Sequence, residues 1–187
     1  MVLPDRTHTA SSESHADAKA HWIEPLSDGS HVLIRPLRLE DRERELEFIH
    51  KLSPESRHFR FLGAIKEISP GLLDQLMQVD FHDKMAFVAL AHQDGKLVEV
   101  GVSRYAATET NNQCECAVTV ADAWQHRGLG TALMRHLIAT ARLNGFKRIY
   151  SIDAAANTHV QALARDLGFQ SIRDPQDTTQ LIHSLQL

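Results

Sequence analysis

The chain has 187 residues, 43% of them hydrophobic, which is enough for one domain to close a core without metal or disulfides. A net charge of −4 and a pI near 6.3 exclude the basic field by which duplex-binding proteins neutralise phosphates, so nucleic acid is not expected as a partner. The only two cysteines, Cys114 and Cys116, occupy alternate positions of one expected strand, and the longest apolar run, Met85 to Ala91, has seven residues. A cytoplasmic protein without disulfide, signal peptide or membrane span is therefore expected.

Residues 1–20 are rich in Ser, Thr, His and Asp and carry almost no large apolar side chains, so they read as a flexible tail ahead of a domain over 21–187. Structure begins near Trp22. The Asp28-Gly29 turn, with Val32 and Ile34 alternating up to Pro36, predicts a first hairpin or strand. Over 38–52 the charges leave one apolar stripe, Leu39, Leu46, Phe48, Ile49 and Leu52, which predicts a helix. Ser53-Pro54 and Ser69-Pro70 each pair a cap residue with proline at the first helical position, so two short helices follow.

Met85 to Ala91 reads as a buried strand that turns at Asp94-Gly95 into Val98, Val100 and Val102, which alternate as one strand face. Gln113 to Val120 is a further strand with Cys114, Cys116, Val118 and Val120 on one face and Glu115, Ala117 and Thr119 on the other. Leu129, Leu133, Leu137 and Ala141 recur at helical spacing until Asn144-Gly145. A short strand at Ile149 to Ile152, a helix through Val160, Leu163, Ala164 and Leu167, and strands starting at Phe169 and Leu181 complete the chain.

The chemistry concentrates at Gln125 to Gly130, which joins a strand to a helix. Two glycines let the backbone approach a ligand, and the helix start offers unpaired amides to a diphosphate, with Arg127 able to add a charge. Glu115 is a lone carboxylate in the adjoining strand, and Asn157 stands where an N-cap is expected. The 12 histidines show no metal-ligand spacing, so no metal is assigned.

These residues resemble the GNAT superfamily of acetyltransferases, whose signature Arg/Gln-x-x-Gly-x-Gly/Ala reads here Gln125-His126-Arg127-Gly128-Leu129-Gly130. The wider match takes in Glu115 to Val120, Asp122 to Gln125, Asn157, and Leu163 to Phe169. Leu52 to Arg57 and Asp80 to Met85 are similar to segments of bacterial protein-lysine acetyltransferases.

The resemblance implies an α/β (α+β) fold: one domain whose central mixed, mostly antiparallel sheet splays between its fourth and fifth strands around acetyl-CoA, with helices on both faces. It implies that Val118, Thr119 and Val120 bind the pantetheine arm, and that Gln125, His126, Arg127, Gly128, Leu129, Gly130 and Thr131 hold the diphosphate. Asn157 would bond the arm, and Glu115 would act as base. Acetyl would pass to a primary amine, a protein lysine or a small molecule, and homodimers are common in the family. Many members place an acidic tyrosine seven residues after the asparagine, where this chain has Ala164. That departure leaves open a module that binds acetyl-CoA or CoA with little turnover. A nucleotide-binding reading of the same turn lacks the Lys-Ser/Thr pair, since Thr131-Ala132 follows.

Overall fold

The computed structural model describes residues 20–62, 68–110 and 112–187, so the expected tail, apart from Ala20, lies outside the described residues. Strands β1 (Trp22–Pro25) and β2 (His31–Pro36) form an antiparallel hairpin around Gly29, whose φ of +84° suits glycine. The stretch expected as one helix over 38–52 divides into a short 3₁₀ turn, Leu39–Asp41, and helix α1 (Arg42–Lys51). Arg35 causes the break: its two terminal nitrogens each donate to an Asp41 oxygen at 2.7 Å, drawing Asp41 inward. Leu39 is thereby left 82% exposed, outside the stripe that Phe48, Ile49 and Leu52 bury.

Helices α2 (Pro54–Phe61) and α3 (Pro70–Met77) follow, each opened by a serine, Ser53 and Ser69, whose hydroxyl accepts the amide three residues on. Strand β3 (Lys84–Gln93) is buried on both faces, which explains its continuous apolar run. Met85, Phe87 and Ala89 enter one core, while Ala86, Val88 and Leu90 enter the other.

Strand β4 (Lys96–Ala107) departs from the alternation expected of its valines. A bulge pairs Ala89 with Gly101 and Leu90 with Glu99, leaving Val100 as the extra residue. The faces exchange there: Val98 and Val100 belong to the first core, and Val102 belongs to the second. The same exchange turns Gly101 and Ser103 toward the long helix α4 (Leu129–Leu143), where the Ser103 hydroxyl donates to the Leu133 carbonyl.

Strand β5 (Gln113–Val120) leads through a 3₁₀ turn, Asp122–Trp124, into α4, whose Leu129, Leu133, Leu137 and Ala141 are buried as their spacing predicts. Then come β6 (Arg148–Ala154), α5 (Thr158–Asp166), β7 (Gln170–Arg173) and β8 (Gln180–Gln186). The sheet runs β1-β2-β3-β4-β5-β6-β8-β7, antiparallel throughout except for β5 beside β6. One core lies under α4 and α5, and the other lies under α1 to α3.

Candidate active site

The parallel pairing of β5 with β6 is short. It joins Gln113 to Arg148, Cys114 to Ile149 and Glu115 to Tyr150, then stops, although β5 pairs with β4 as far as Val120. The polar backbone groups of residues 116–120 that point away from β4 therefore meet no strand, and the sheet opens there. The opening falls between the fifth and sixth strands because the N-terminal hairpin adds one to the count.

A cavity of about 620 Å³ occupies the opening. Its walls include Glu115, Val118, Thr119, Val120, Gln125, His126, Gly128, Leu129, Gly130, Thr131 and Asn157, so every site residue read from the sequence reaches it except Arg127. Thr119 supports the fit of a ligand here: its buried hydroxyl has no hydrogen-bond partner among the described residues.

The start of α4 is built for an anion. Helices α2, α3 and α5 have side-chain caps from Ser53, Ser69 and Asn157, whereas α4 begins on Gly128, which has no side chain to offer its amides. Gly128 holds φ +85° and His126 holds φ +59°, two left-handed turns that bring the chain round into the helix. First-turn amides left unpaired in this way carry the helix dipole's positive end. Beside them the His126 and His159 rings meet edge to face with centroids 4.7 Å apart.

Arg127 turns away from the cavity. Its guanidinium bonds Asp28 in the β1–β2 turn and the Ala123 carbonyl, and lies 4.8 Å from the Trp124 ring centroid. Gln125 is also engaged, donating to the Val120 carbonyl at 3.2 Å. Asn157 keeps both readings open to it: its side chain caps the Val160 amide, and it lines the cavity.

Glu115 stands exposed on β5. Opposite it, Tyr150 has its hydroxyl raised above the ordinary value, first by burial and then by the Glu115 charge. Burial pushes the Cys116 thiol well above its usual range, so the thiolate a nucleophile needs is scarce.

Two cavity residues, Arg60 and Asp153, had no signal in the sequence, and a third, Asp122, entered only as part of the wider match, without a role. Arg60, near the end of α2, is lowered to about 10 by burial and by the like charge of Arg104, and so stays a cation at neutral pH. Asp153 of β6 is raised by burial, against the Ser151 hydrogen bond and the charges of His183 and Arg60. Asp122 accepts from the Ser53 amide and from the Ser53 and Ser56 hydroxyls, joining α2 to the end of β5 across a separation no local pattern reveals. Among the described residues no group of three or more His, Cys, Asp or Glu side chains is placed to hold a metal ion, and no helix is long and apolar enough to cross a membrane.

Comparison with known proteins agrees with this geometry. The sequence profile described as the Acetyltransferase (GNAT) family matches residues 46–169. Acetyltransferase PA5475 of Pseudomonas aeruginosa is 63% identical over 167 residues, 89% of this chain and 90% of that protein. Acetyltransferase Pat of Mycolicibacterium smegmatis is 29% identical over 148 residues, 78% of this chain but only 43% of that longer protein. Among solved structures, the GNAT domain of S. lividans PAT superposes with a TM-score of 0.81 at 26% identity, covering 89% of this chain and 97% of that one.

Proposed function

Because the chain belongs to the Acetyltransferase (GNAT) family, we propose that it moves acetyl from acetyl-CoA directly to a primary amine, with Glu115 as general base. The observation that carries this reading is the conjunction of two unsatisfied backbone surfaces. The free edge of β5 beyond Glu115 runs into the uncapped start of α4 along one cavity. An extended arm pairs with the first, and a diphosphate sits on the second.

In this reading Val118, Thr119 and Val120 hold the pantetheine arm, and their amides polarise the thioester carbonyl as preorganised donors. The amides from Gln125 to Thr131 take the diphosphate, and Asn157 adds a hydrogen bond to the arm. Glu115 removes a proton from an ammonium whose pKa starts near 10.4, so that the nitrogen lone pair can attack. Positioned proton transfer of this kind contributes roughly 10²–10⁴ in rate. Transfer is direct because Cys116, the thiol on the cavity wall, is held protonated by burial. The acceptor is a protein lysine or a small amine, and Glu55 and Glu115 on the cavity wall suit a cationic group of either kind. The two buried free cysteines fit a cytoplasmic enzyme.

The test is the melting temperature with and without acetyl-CoA, followed by thiol release in the presence of amines and lysine peptides. A rise above about 2 °C, with acceptor-dependent thiol release lost in Glu115→Gln, supports the transfer as drawn. A rise without release supports a binding module, and no rise removes the acetyl-CoA assignment.

A further inference from the structure

Strand alternation sorts the groups of the opening onto two faces. Cys114 and Cys116 pack into the core under α4, so Glu115, between them, faces the opposite side, where α2 packs against β5. On β6, Ile149 enters that same core, and alternation puts Ser151 and Asp153 on its side of the sheet. Asp153 and Ser151 line a second, small cavity of about 30 Å³ with Cys116, Met134 and Ala164, a space the size of about one water molecule. Asp153 also lines the large cavity. The last β5–β6 pair is Glu115 with Tyr150, so three residues further along each strand Asp153 stands level with Val118 across the gap. One acid therefore faces the α2 side, and another faces the α4 and α5 side, at the height where the thioester lies in the proposed reading.

We propose that Asp153 is the general acid that protonates the sulfur of the departing CoA. The inference rests on the transfer reading above. As the carbon–sulfur bond breaks, its electron pair leaves with sulfur and the Asp153 carboxyl proton moves to it, giving the free thiol and the Asp153 carboxylate. The acceptor ammonium loses one proton to Glu115 before attack and a second to solvent on collapse. Glu115 then gives its proton to solvent and Asp153 takes one back from solvent through the open cavity, so both groups are restored and one proton is released per acetyl transferred.

The surroundings of Asp153 shift its balance toward the protonated form. Burial raises its carboxyl, and the opposing influences are the Ser151 hydroxyl at 2.6 Å, His183 of β8 and Arg60 of α2. From β5 it meets Cys116, held as a thiol, while Glu115 shares the wall of the large cavity from the other face. From α5 the titratable groups on the cavity wall are His159 and Asp166. His183 is fully buried and lowered by that burial, with Nδ1 2.6 Å from the Ser171 hydroxyl, so it adds little positive charge at neutral pH. Ala164, which lines the small cavity with Asp153, contributes no hydroxyl of its own.

The experiment measures kcat and KM for acetyl-CoA against pH in the full chain and in Asp153→Asn and Asp153→Glu, with carboxyl infrared spectra of each. Sulfur must receive its proton from a neutral Asp153, so wild-type kcat falls as pH rises through the raised Asp153 pKa. Asp153→Asn is expected to lose that limb and at least about tenfold in kcat, with KM and the acetyl-CoA melting shift unchanged, and Asp153→Glu to recover part. The wild-type spectrum at pH 7 should contain a protonated-carboxyl band that Asp153→Asn lacks. An unchanged limb in Asp153→Asn overturns the inference and leaves the transfer reading standing. If Asp153→Asn fails to fold, the spectra of wild type and Asp153→Glu at pH 7 decide: a protonated-carboxyl band that shifts between the two, beside the Glu99 band common to both, supports the inference, and the absence of any band that shifts is equally fatal. A wild type that neither binds acetyl-CoA nor releases thiol fails at the transfer reading itself and takes this inference with it.

Discussion

Arg127 sits in the middle of the loop proposed to hold the diphosphate, yet its Nη1 lies 2.7 Å from Oδ2 of Asp28, in the turn of the N-terminal hairpin. The Ser27 amide donates to the Arg127 carbonyl, so side chain and backbone together fasten the hairpin to the loop. The charge that looks available to a phosphate acts instead as a brace. Exposed ion pairs contribute little, so Arg127→Ala and Asp28→Ala should each weaken acetyl-CoA binding by less than about fivefold. Calorimetric titration of both single variants and the double should give non-additive losses, because the two remove one contact. An Arg127→Ala loss far above that of Asp28→Ala would instead mean that the guanidinium swings onto the ligand.

Asp122 makes the other brace, and its acid–base balance has a definite sign. Burial raises its carboxyl, but the Ser53 and Ser56 hydrogen bonds outweigh that, and the net shift is downward. A folded-state value below the unfolded one means stability present above the unfolded pKa and lost as pH falls through the folded one. Asp122→Asn should therefore lower the melting temperature at pH 7, and the deficit should shrink on acidification. Asn keeps one acceptor oxygen for three donors, so the end of α2 should also exchange its amide hydrogens faster.

The order of elements and the glycine turn were legible in the sequence because each depends on neighbours within a few residues, such as Ser53 capping α2 or Leu129, Leu133 and Leu137 repeating along α4. What escaped depends on contacts distant in the chain. Arg35 captures Asp41 and cuts the expected first helix short, and the extra Val100 reverses the faces of β4. Asp153 lies in a strand that no polar pattern distinguishes, and only the divergence of β6 from β5 exposes it to the cavity. Arg127 read as a ligand because its motif says so, while Asp28, which takes it, stands 99 residues away.

Gly101 lies on β4 directly under Leu129 and Leu133 of α4. A Cβ there would sit 3.0 Å from Leu133 Cδ1 and 3.3 Å from the Thr119 carbonyl oxygen, and the second of these is backbone of the cavity wall. Leu133 can turn aside only within a close-packed core, and Thr119 can yield only by shifting β5. Gly101→Ala should cost about 1–3 kcal/mol, the usual range for overpacking. At about 2–4 °C per kcal/mol for a chain of this size, thermal melting will resolve the loss. Acetyl-CoA affinity should fall with it if β5 carries the arm as proposed, whereas an equally destabilising Ile138→Val in the same core should leave affinity alone.

Glu99 offers a stabilising change with a pH signature. Only 7% exposed, it faces Glu45 of α1, Arg104 of its own strand, Asp41 and Arg35. Arg104 is committed to Glu45 at 2.6 Å, and neither Glu99 oxygen has a hydrogen-bond partner when treated as a carboxylate. Burial first, and the Glu45 charge second, raise the Glu99 carboxyl well above its ordinary range, so the neutral acid is the form the fold favours and it donates to Glu45. A folded pKa above the unfolded one gives stability fully present below the unfolded value, about 4.3, and lost as pH rises through the folded one. Gln in place of Glu99 supplies the same donor without a proton to lose. Glu99→Gln should melt with wild type near pH 4 and above it at pH 8, with the gap widening in between. A gap independent of pH, or a less stable variant at pH 8, would mean that Glu99 is ionised in the fold and that Arg104 answers two carboxylates at once.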